Sequence, residues 1–352
     1  MTKTIRVGVI GAGYWGPNIV RNLYEAPGAE AVAVADLSQE RLDAISKRFP
    51  SLRVTTDYRE VIGDPTIDAI CIVTPVGTHR KFAEEAFAAG KHVLVEKPLA
   101  QSVSDAEAIV RAQERAGKTL MVGHTFVYNP AVEVVKRILD SDGIGTVYYL
   151  DSQRVNLGLH QFDTNVLWDL GPHDVSITLY WLDQEPEWVQ CSGASFAQPD
   201  IEDVVFLMIG FPSGAIAHAH LSWLAPSKLR RTVVVGSRKM AVYDDTLPAE
   251  RVKVYDRGVE AISIEELRRS YRAGDVHSPR IPETEPLQLE MRHFVDCING
   301  DALPLSGGEA GTRVVRVLEA GMRSLRTGGA RVPYRIEGAR RPELVTLASI
   351  GA

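Results

Sequence analysis

The stretch Val7–Leu23, VGVIGAGYWGPNIVRNL, decides the fold of this chain. It begins in a short apolar run typical of a strand and ends in a pattern typical of a helix. Between the two, Gly11, Gly13 and Gly16 form the pattern G-x-G-x-x-G. Such a turn lets the backbone approach a phosphate closely and points a helix N-terminus at it. Glycines also serve tight turns that bind nothing, so the context of the pattern has to decide.

The context favours a dinucleotide site. A second strand pattern, Glu30–Ala35, ends at Asp36, twenty residues after Gly16. A carboxylate there can accept hydrogen bonds from ribose hydroxyls and would repel a 2′-phosphate. Leu37 follows, and the nearest downstream arginine, Arg41, lies inside the next predicted helix. The sequence therefore predicts NAD as cofactor, with contacts from Gly11, Gly13, Tyr14, Trp15, Gly16 and Asp36.

Strand and helix patterns alternate as far as Gly123, and the strands are almost continuously apolar. This predicts a doubly wound parallel sheet of the Rossmann type over residues 1–123. Longer strands follow, and the turn Phe211–Gly214 joins two of them as antiparallel neighbours. The sequence thus predicts an α/β fold in which residues 124–352 form an α+β domain with a large, mostly antiparallel sheet. This second domain is expected to bind substrate and to form subunit contacts.

The bulk composition limits the partners. The net charge is −6, so a basic nucleic-acid surface is not expected. No apolar run approaches the ~18 residues that span a membrane, and the first residues enter a strand pattern without room for a signal peptide. Cys71, Cys191 and Cys297 are scattered and odd in number, which favours buried thiols in the cytoplasm. His218 and His220 alternate on one strand but lack a third ligand, so no metal site is predicted.

Two further strand ends supply polar residues, and ligands bind at the carboxyl ends of strands in open α/β sheets. Thr74 and Pro75 follow the strand IDAICIV, and His79 opens the next helix. Glu96 and Lys97 follow the strand HVLV, immediately before a proline. We expect these residues to face the cofactor cleft, although composition alone would favour Lys97 as a solvated surface lysine.

The segment Asn165–Ile177, NVLWDLGPHDVSI, predicts a helix that starts between Trp168 and Gly171, since Pro172 is comfortable only in a first turn. Asp169 and His173 then lie one turn apart on the same face. The pair could be a catalytic device, in which Asp169 orients His173 or binds a substrate hydroxyl. It could also be structural, with Asp169 as the helix cap.

Weaker candidates surround these motifs. His124, Tyr128 and Asn129 follow the last Rossmann strand and are predicted near the domain junction. Arg154 alternates with Ser152 and Asn156 on one strand face, where it could bind a carboxylate or phosphate or simply be solvated. Leu229–Arg231 is predicted to be surface. Substrate contacts are thus expected from Lys97, Tyr128, Asn129, Arg154, Asp169 and His173.

The motifs GAGYWG, VTPVGTH, VEKPLA and D-x-x-x-H together resemble the Gfo/Idh/MocA oxidoreductases along essentially the whole chain. The resemblance implies that Lys97 touches both the nicotinamide ribose and the reacting hydroxyl, and that His173 is the general acid/base with Asp169 as its helical neighbour. One departure is the lead FDTNVLW, where many members have a glycine-rich segment. That departure concerns substrate contacts from this segment and not the chemistry.

The resemblance implies an NAD-dependent oxidoreductase acting on a ring secondary alcohol of a sugar. The segments GYWGPNIVRNL and NVLWDLGPHD most resemble those of nucleotide-sugar dehydrogenases, such as a 3-dehydrogenase of a UDP-sugar. The alternatives are an inositol or free-sugar dehydrogenase, a glycosidase that keeps NAD bound, and a non-enzymatic NAD-bound sensor. The apolar residues on both faces of DVVFLMIGF, with the resemblance, predict a homo-dimer or homo-tetramer built on sheet contacts.

Overall fold

The computed structural model describes residues 4–158, 160–259 and 271–335. The first domain is built on a six-stranded sheet in the order β3-β2-β1-β4-β5-β6, and every pairing is parallel. This is the strand order of dinucleotide-binding folds. The strands are β1 (Ile5–Ile10), β2 (Ala29–Ala35), β3 (Arg53–Thr55), β4 (Ala69–Ile72), β5 (His92–Glu96) and β6 (Leu120–Gly123).

Helices cover both faces of this sheet, which explains its continuously apolar strands. Cys71 and Leu94 pack in one core with Ile19, whereas Ile70 and Val95 pack in the opposite core. The predicted doubly wound parallel sheet is therefore confirmed. The helices of this part are α1 (Gly16–Glu25), α2 (Gln39–Arg48), α3 (Tyr58–Ile62), α4 (His79–Ala88) and α5 (Val103–Ala116).

The second domain is built on a nine-stranded sheet in the order β14-β13-β12-β11-β7-β10-β9-β8-β15. Its pairings are antiparallel except that of β7 with β10, so the predicted mostly antiparallel sheet is confirmed. The strands are β7 (Val147–Val155), β8 (Trp188–Ala194), β9 (Val204–Gly210), β10 (Ile216–Ser222), β11 (Leu229–Gly236), β12 (Met240–Asp244), β13 (Val252–Val259), β14 (Tyr271–His277) and β15 (Val332–Pro333). The last three escaped prediction, because β13 carries charged and mostly half-buried residues, β14 is largely exposed, and β15 is only two residues long.

In the described residues after Gly123, the α-helices are α6 (Pro130–Asp140), α7 (Val166–Leu182), α8 (Pro286–Asn299) and α9 (Gly308–Arg326). The inner face of the nine-stranded sheet packs on α7 and α9, with Leu207 and Leu221 in the same core as Leu167 and Leu318. Helix α8 instead returns to the first domain, where Phe294 joins the core of α1. No helix in the described ranges is long and apolar enough to cross a bilayer.

Helix α7 starts earlier than the sequence predicted. It begins at Val166, and the Asn165 side chain caps it by accepting a hydrogen bond from the Trp168 N–H at 3.2 Å. Pro172 consequently lies inside the helix rather than in its first turn, and it cannot donate to the Trp168 carbonyl. The expectation that Asp169 is the cap is wrong, because an asparagine with the right geometry precedes it.

Candidate active site at the domain junction

The glycine turn is shaped by backbone contacts. Gly11 has a φ of +105°, and a Cβ on it would lie 2.3 Å from the Val73 carbonyl oxygen. A Cβ on Gly16 would lie 2.3 Å from the Gly11 carbonyl oxygen. At Gly13 the nearest atom to a Cβ is Arg41 Nη1 at 3.9 Å, so this position borders open space. Two glycines therefore build the turn, and the third leaves room for a ligand beside it.

The Asp36 carboxylate lies beside this turn and is held by backbone amides. Its Oδ2 accepts from the Ala12 N–H at 2.7 Å, and its Oδ1 accepts from the Ser38 N–H at 2.8 Å. Arg41 Nη1 lies 3.7 Å from Oδ2, although the guanidinium is largely exposed. The carboxylate thus has a fixed position at the end of β2, with one cation beside it.

A cavity of about 690 Å³ opens between these groups. Gly13, Asp36, Leu37, Thr74 and Pro75 all line it. The gap at Gly13 and the carboxylate at the end of β2 fit the pyrophosphate and the ribose of NAD respectively. Tyr14 is exposed at the tip of the same turn and stacks on Trp15 with ring centroids 6.3 Å apart.

His79 lies behind the cavity, which corrects its assignment as a cofactor contact. Its Nε2 is 2.8 Å from the Thr74 carbonyl and its Nδ1 is 3.0 Å from the Pro98 carbonyl. Burial lowers the pKa of the imidazole, so the ring is neutral and donates to one of these carbonyls at a time. The side chain ties the Thr74 loop to the Lys97 loop, because both loops end strands of the same sheet.

Glu96 is the last residue of β5 and directly precedes Lys97. Its Oε2 accepts from the Lys97 N–H at 3.1 Å, the Trp15 side chain hydrogen-bonds to it, and its Oε1 is buried without a partner in the described residues. Burial raises the pKa of Glu96 to about 7. The buried Glu290 of α8 interacts electrostatically with it, and burial with this like charge raises the pKa of Glu290 well above its ordinary value.

Sequence reasoning missed Glu290. The sequence feature that could have revealed it is an acidic residue on the buried, apolar face of α8, which includes Leu287, Met291 and Phe294. Its Oε2 accepts from the Thr125 hydroxyl at 2.7 Å.

Lys97 and Asp169 meet across the domain junction. Lys97 Nζ donates to the Asp169 backbone carbonyl at 2.9 Å and lies 3.6 Å from Asp169 Oδ1. The other carboxylate oxygen accepts from the Trp223 indole N–H at 3.0 Å. The alternative that Lys97 is a solvated surface residue is therefore wrong. Asp169 does not orient His173 either, since both of its oxygens face other partners.

His173 lies one helical turn beyond Asp169. Its ring packs edge-on against Phe126, with the ring centroids 4.8 Å apart. Its Nδ1 is buried without a hydrogen-bond partner among the described residues. Burial, then the charges of Lys97 and Arg154, hold the pKa of His173 well below its usual value. Burial and the charge of Lys97 also lower the pKa of His124, to about 3. Both imidazoles are therefore neutral at pH 7.

Two arginines flank Phe126 on the other side of the site. Arg154 is buried, forms an ion pair with Asp174, and has its guanidinium 4.5 Å from the Phe126 ring centre. This corrects the expectation of a solvated strand face or a free anion-binding group, because α7 covers that face. Arg230 lies 5.5 Å from the same ring and 3.5 Å from Asp245 Oδ2.

Arg230 was predicted to be surface, yet it is only partly exposed and its charge acts on His173. Its cross-strand partner in the β11–β7 pairing is Arg154. Knowledge of that pairing would have placed it on the site face, but the sequence does not give strand order.

Tyr128 and Asn129 are used inside the protein, which corrects their assignment to the substrate. The Tyr128 hydroxyl lies 2.9 Å from Ser306 Oγ, and its ring packs near His293. Asn129 caps α6 and gives its amide to Asp245 at 3.0 Å. Both side chains are buried because the chain crosses between the domains at this point.

His218 and His220 lie on the outer face of the nine-stranded sheet, opposite the core face that carries Ala219 and Leu221. His218 Nδ1 is 2.7 Å from Asp151 Oδ1, and His220 stacks on Phe206 with centroids 4.6 Å apart. Within the described part of the chain, no group of three or more His, Cys, Asp or Glu side chains is arranged to hold a metal ion.

Comparison with known proteins identifies the family. Residues 5–124 match a model described as "Oxidoreductase family, NAD-binding Rossmann fold", and residues 132–242 match the GFO/IDH/MocA C-terminal domain. The chain belongs to the GFO/IDH/MocA family. It is therefore an oxidoreductase with an NAD-binding Rossmann domain, as the sequence predicted.

Several relatives within this family span nearly the whole chain. The scyllo-inositol 2-dehydrogenase (NAD(+)) of Bacillus subtilis is 27% identical over 93% of this chain and 96% of its own length. The UDP-N-acetylglucosamine 3-dehydrogenase of Acidithiobacillus ferrooxidans is 26% identical, with coverages of 88% and 94%. The crystal structure of GenD2 from gentamicin A biosynthesis in complex with NAD is 25% identical, covers 95% of this chain and 97% of that one, and superimposes with a TM-score of 0.80.

Proposed function

We propose that this GFO/IDH/MocA member interconverts a ring secondary alcohol and its ketone on a sugar or cyclitol, using NAD, and that its preferred substrate is a nucleotide-linked sugar. The observation that carries the proposal is the placement of Lys97. Its ammonium is held by Asp169 at the domain junction, and its charge acts on the neutral His173. A cation that follows a strand of the cofactor-binding sheet and acts on a neutral imidazole supports this chemistry.

The roles of the side chains follow from their charge. Gly13 and Asp36 would hold NAD⁺, which would supply the hydride acceptor for the carbinol carbon. His173 accepts the hydroxyl proton, because its imidazole is neutral at pH 7. The Lys97 ammonium stabilises the negative charge that develops on the oxygen as the carbonyl forms. In the reverse direction, protonated His173 returns the proton to the carbonyl oxygen.

The finer proposal, a nucleotide-linked sugar, has two supports. The A. ferrooxidans relative that acts on UDP-N-acetylglucosamine aligns with nearly all of this chain. Arg230 also keeps part of its guanidinium exposed on the His173 side of the site, where a phosphate could pair with it. A free cyclitol is the second candidate, since the B. subtilis scyllo-inositol enzyme matches slightly more of this chain, 93% against 88%, at a similar identity.

A screen with NAD⁺ and unmodified protein tests these proposals. Inositols, free sugars, UDP-sugars and dTDP-sugars are each incubated with NAD⁺, and NADH formation is followed by absorbance. We expect the highest kcat/KM with a UDP- or dTDP-sugar. A higher value with an inositol would move the assignment to the second candidate. Cleavage of aryl glycosides without net NADH would indicate a glycosidase, and NAD binding with no turnover of any kind would indicate a sensor.

We also propose that the protein is a cytoplasmic homo-dimer or homo-tetramer. The three cysteines are buried and free, as expected in a reducing compartment. On the outer face of the nine-stranded sheet, Tyr149, Phe206 and Ile216 are exposed on adjacent strands. Such a surface favours association. A light-scattering mass of a single 38.6 kDa chain at micromolar concentration would contradict the oligomer.

A further inference from the structure

Trp223 is fixed more firmly than its neighbours in the loop after β10. It is 1% exposed, its N–H donates to the Asp203 carbonyl at 2.9 Å, and its carbonyl accepts from the Gly158 N–H at 2.9 Å. The two hydrogen bonds fix the backbone of Trp223, and burial restricts rotation of its indole. Its only polar side-chain atom, Nε1, points at Asp169 Oδ2 from 3.0 Å.

The two oxygens of the Asp169 carboxylate thus have different partners. Oδ2 faces a neutral donor on a rigid ring, and Oδ1 faces the Lys97 ammonium at 3.6 Å. With Oδ2 fixed, rotation of the carboxylate is prevented and Oδ1 stays on the lysine side. The Asp169 carbonyl, which accepts from Lys97 Nζ at 2.9 Å, holds the same ammonium from the helix backbone.

We propose that Trp223 is a positioning residue that sets the location of the Lys97 ammonium through Asp169. An indole suits this task because it is a donor only and does not titrate, so the negative charge of Asp169 remains available to Lys97. This inference rests on the proposed function, in which Lys97 contacts the reacting oxygen. A displacement of the ammonium by ~1 Å is enough to lower turnover by about a hundredfold.

The chain offers a matched control. Trp181 is also buried, at 2% exposure, and its indole N–H donates at 2.9 Å, but to the Val132 backbone carbonyl within the second domain. Trp223→Phe and Trp181→Phe therefore remove the same atom and similar volume from equally buried sites. We expect Trp223→Phe to lower kcat by about ten- to a hundredfold with the NADH dissociation constant unchanged. Trp181→Phe should leave kcat close to that of the unmodified protein.

A double-mutant cycle with Asp169→Asn separates positioning from a general structural role. If Trp223 acts through Asp169, the double variant should lose no more activity than the worse single variant. Additive losses, or equal losses in Trp223→Phe and Trp181→Phe, would overturn the proposal. A catalytically inert unmodified protein would contradict the proposed function instead.

A second measurement requires neither activity nor a tryptophan variant. The chain has five tryptophans, so protein labelled with ¹⁵N-tryptophan gives five indole N–H signals. Asp169→Asn and Lys97→Met should both shift the signal of Trp223, whereas the signal of Trp181, whose indole donates to the Val132 carbonyl, should stay in place in both. Five unmoved signals in Asp169→Asn would overturn the proposal, whether or not the protein is active.

Discussion

The cofactor side and the reacting side of the site differ in the groups that form them. Around the cavity the shape comes from backbone: Gly11 and Gly16 form the turn, and amides of Ala12 and Ser38 hold Asp36. On the reacting side the groups are side chains drawn from separate elements, such as Lys97 after β5 and His173 on α7. A backbone site survives most substitutions and is sensitive at glycines, whereas a side-chain site depends on each group and on its electrostatic neighbours.

The reacting side should be the more sensitive in turnover, and Lys97→Met tests this first. We expect kcat to fall by roughly 10²–10³-fold, because a preorganised donor at the developing oxyanion is lost. Removal of a positive charge also favours protonated His173, so its pKa rises and the acid limb of kcat/KM moves to higher pH. The measurement is the pH profile of kcat/KM for both proteins. An acid limb that stays in place or moves to lower pH would contradict this electrostatic coupling.

The backbone side should respond to glycine substitutions in two distinct ways. Gly13→Ala puts a methyl group into open space, so the unfolding temperature should stay the same while NAD affinity drops. An extra methyl in a tight contact costs about 1–3 kcal/mol, or roughly ten- to a hundredfold in the dissociation constant. Gly16→Ala clashes with the Gly11 carbonyl, so it should lower the unfolding temperature even without NAD. Calorimetry measures the unfolding temperatures, and NADH titration measures the cofactor affinities. Identical behaviour of the two variants would contradict the different roles assigned to Gly13 and Gly16.

Cofactor choice should depend on Asp36 and, less strongly, on Arg41. A 2′-phosphate ~4 Å from the carboxylate costs about 1–4 kcal/mol for effective dielectrics between water and the protein surface. Asp36→Ser with Leu37→Arg should shift preference towards NADP. Arg41, 3.7 Å from Asp36, offsets part of the repulsion, so Arg41→Met should sharpen the preference for NAD. Fluorescence titration with NADH and NADPH measures both, and equal constants in the unmodified protein would show that Asp36 does not control the choice.

The smallest expected effect concerns stability and involves Glu290 of α8, which interacts electrostatically with Glu96. The pKa of Glu290 is raised in the folded state, so its protonated form favours folding, and that contribution is lost as pH rises through the folded pKa. Glu290→Gln should therefore gain stability over the unmodified protein between pH 5 and 8, on the scale of about 2–4 °C for each kcal/mol.

Glu285→Gln on the same helix is the control for that prediction. The side-chain hydrogen bond from Arg21 lowers the pKa of Glu285, so its ionised form favours folding above its unfolded pKa. This variant should lose stability near pH 7, not gain it. Thermal melts of the three proteins across this pH range make the comparison, and shifts of the same sign in both variants would contradict it.

The two sides also differ in how far sequence could predict them. The glycine turn, Asp36 and the alternating strands are local patterns, so the first domain and its strand topology could be anticipated. Lys97, Asp169 and His173 were found as motifs, but their contacts were not. The sequence paired Asp169 with His173 by helical spacing, whereas the fold turns its carboxylate to Lys97 and Trp223.

The residues that sequence reasoning missed depend on long-range packing. Arg230 reaches the site because β11 pairs with β7, and Glu290 reaches it because α8 returns to the first domain. Tyr128 and Asn129 were misassigned because proximity along the chain to a junction does not reveal which buried partners, here Ser306 and Asp245, use the polar atoms. Neither kind of information is contained in local periodicity.

Transfer of deuterium from substrate to cofactor tests the proposed chemistry most directly. The best substrate of the screen is prepared with deuterium on its reacting ring carbon and incubated with NAD⁺ and either the unmodified protein or His173→Ala, with His218→Ala on the outer sheet face as control. The NADH formed by the unmodified protein and by His218→Ala should carry one deuterium per molecule, and His173→Ala should form it roughly 10²–10⁴-fold more slowly with cofactor affinity little changed. Deuterium-free NADH, or a rate in His173→Ala close to that of the unmodified protein, would contradict the assignment of His173 as the proton acceptor in hydride transfer from a ring carbon.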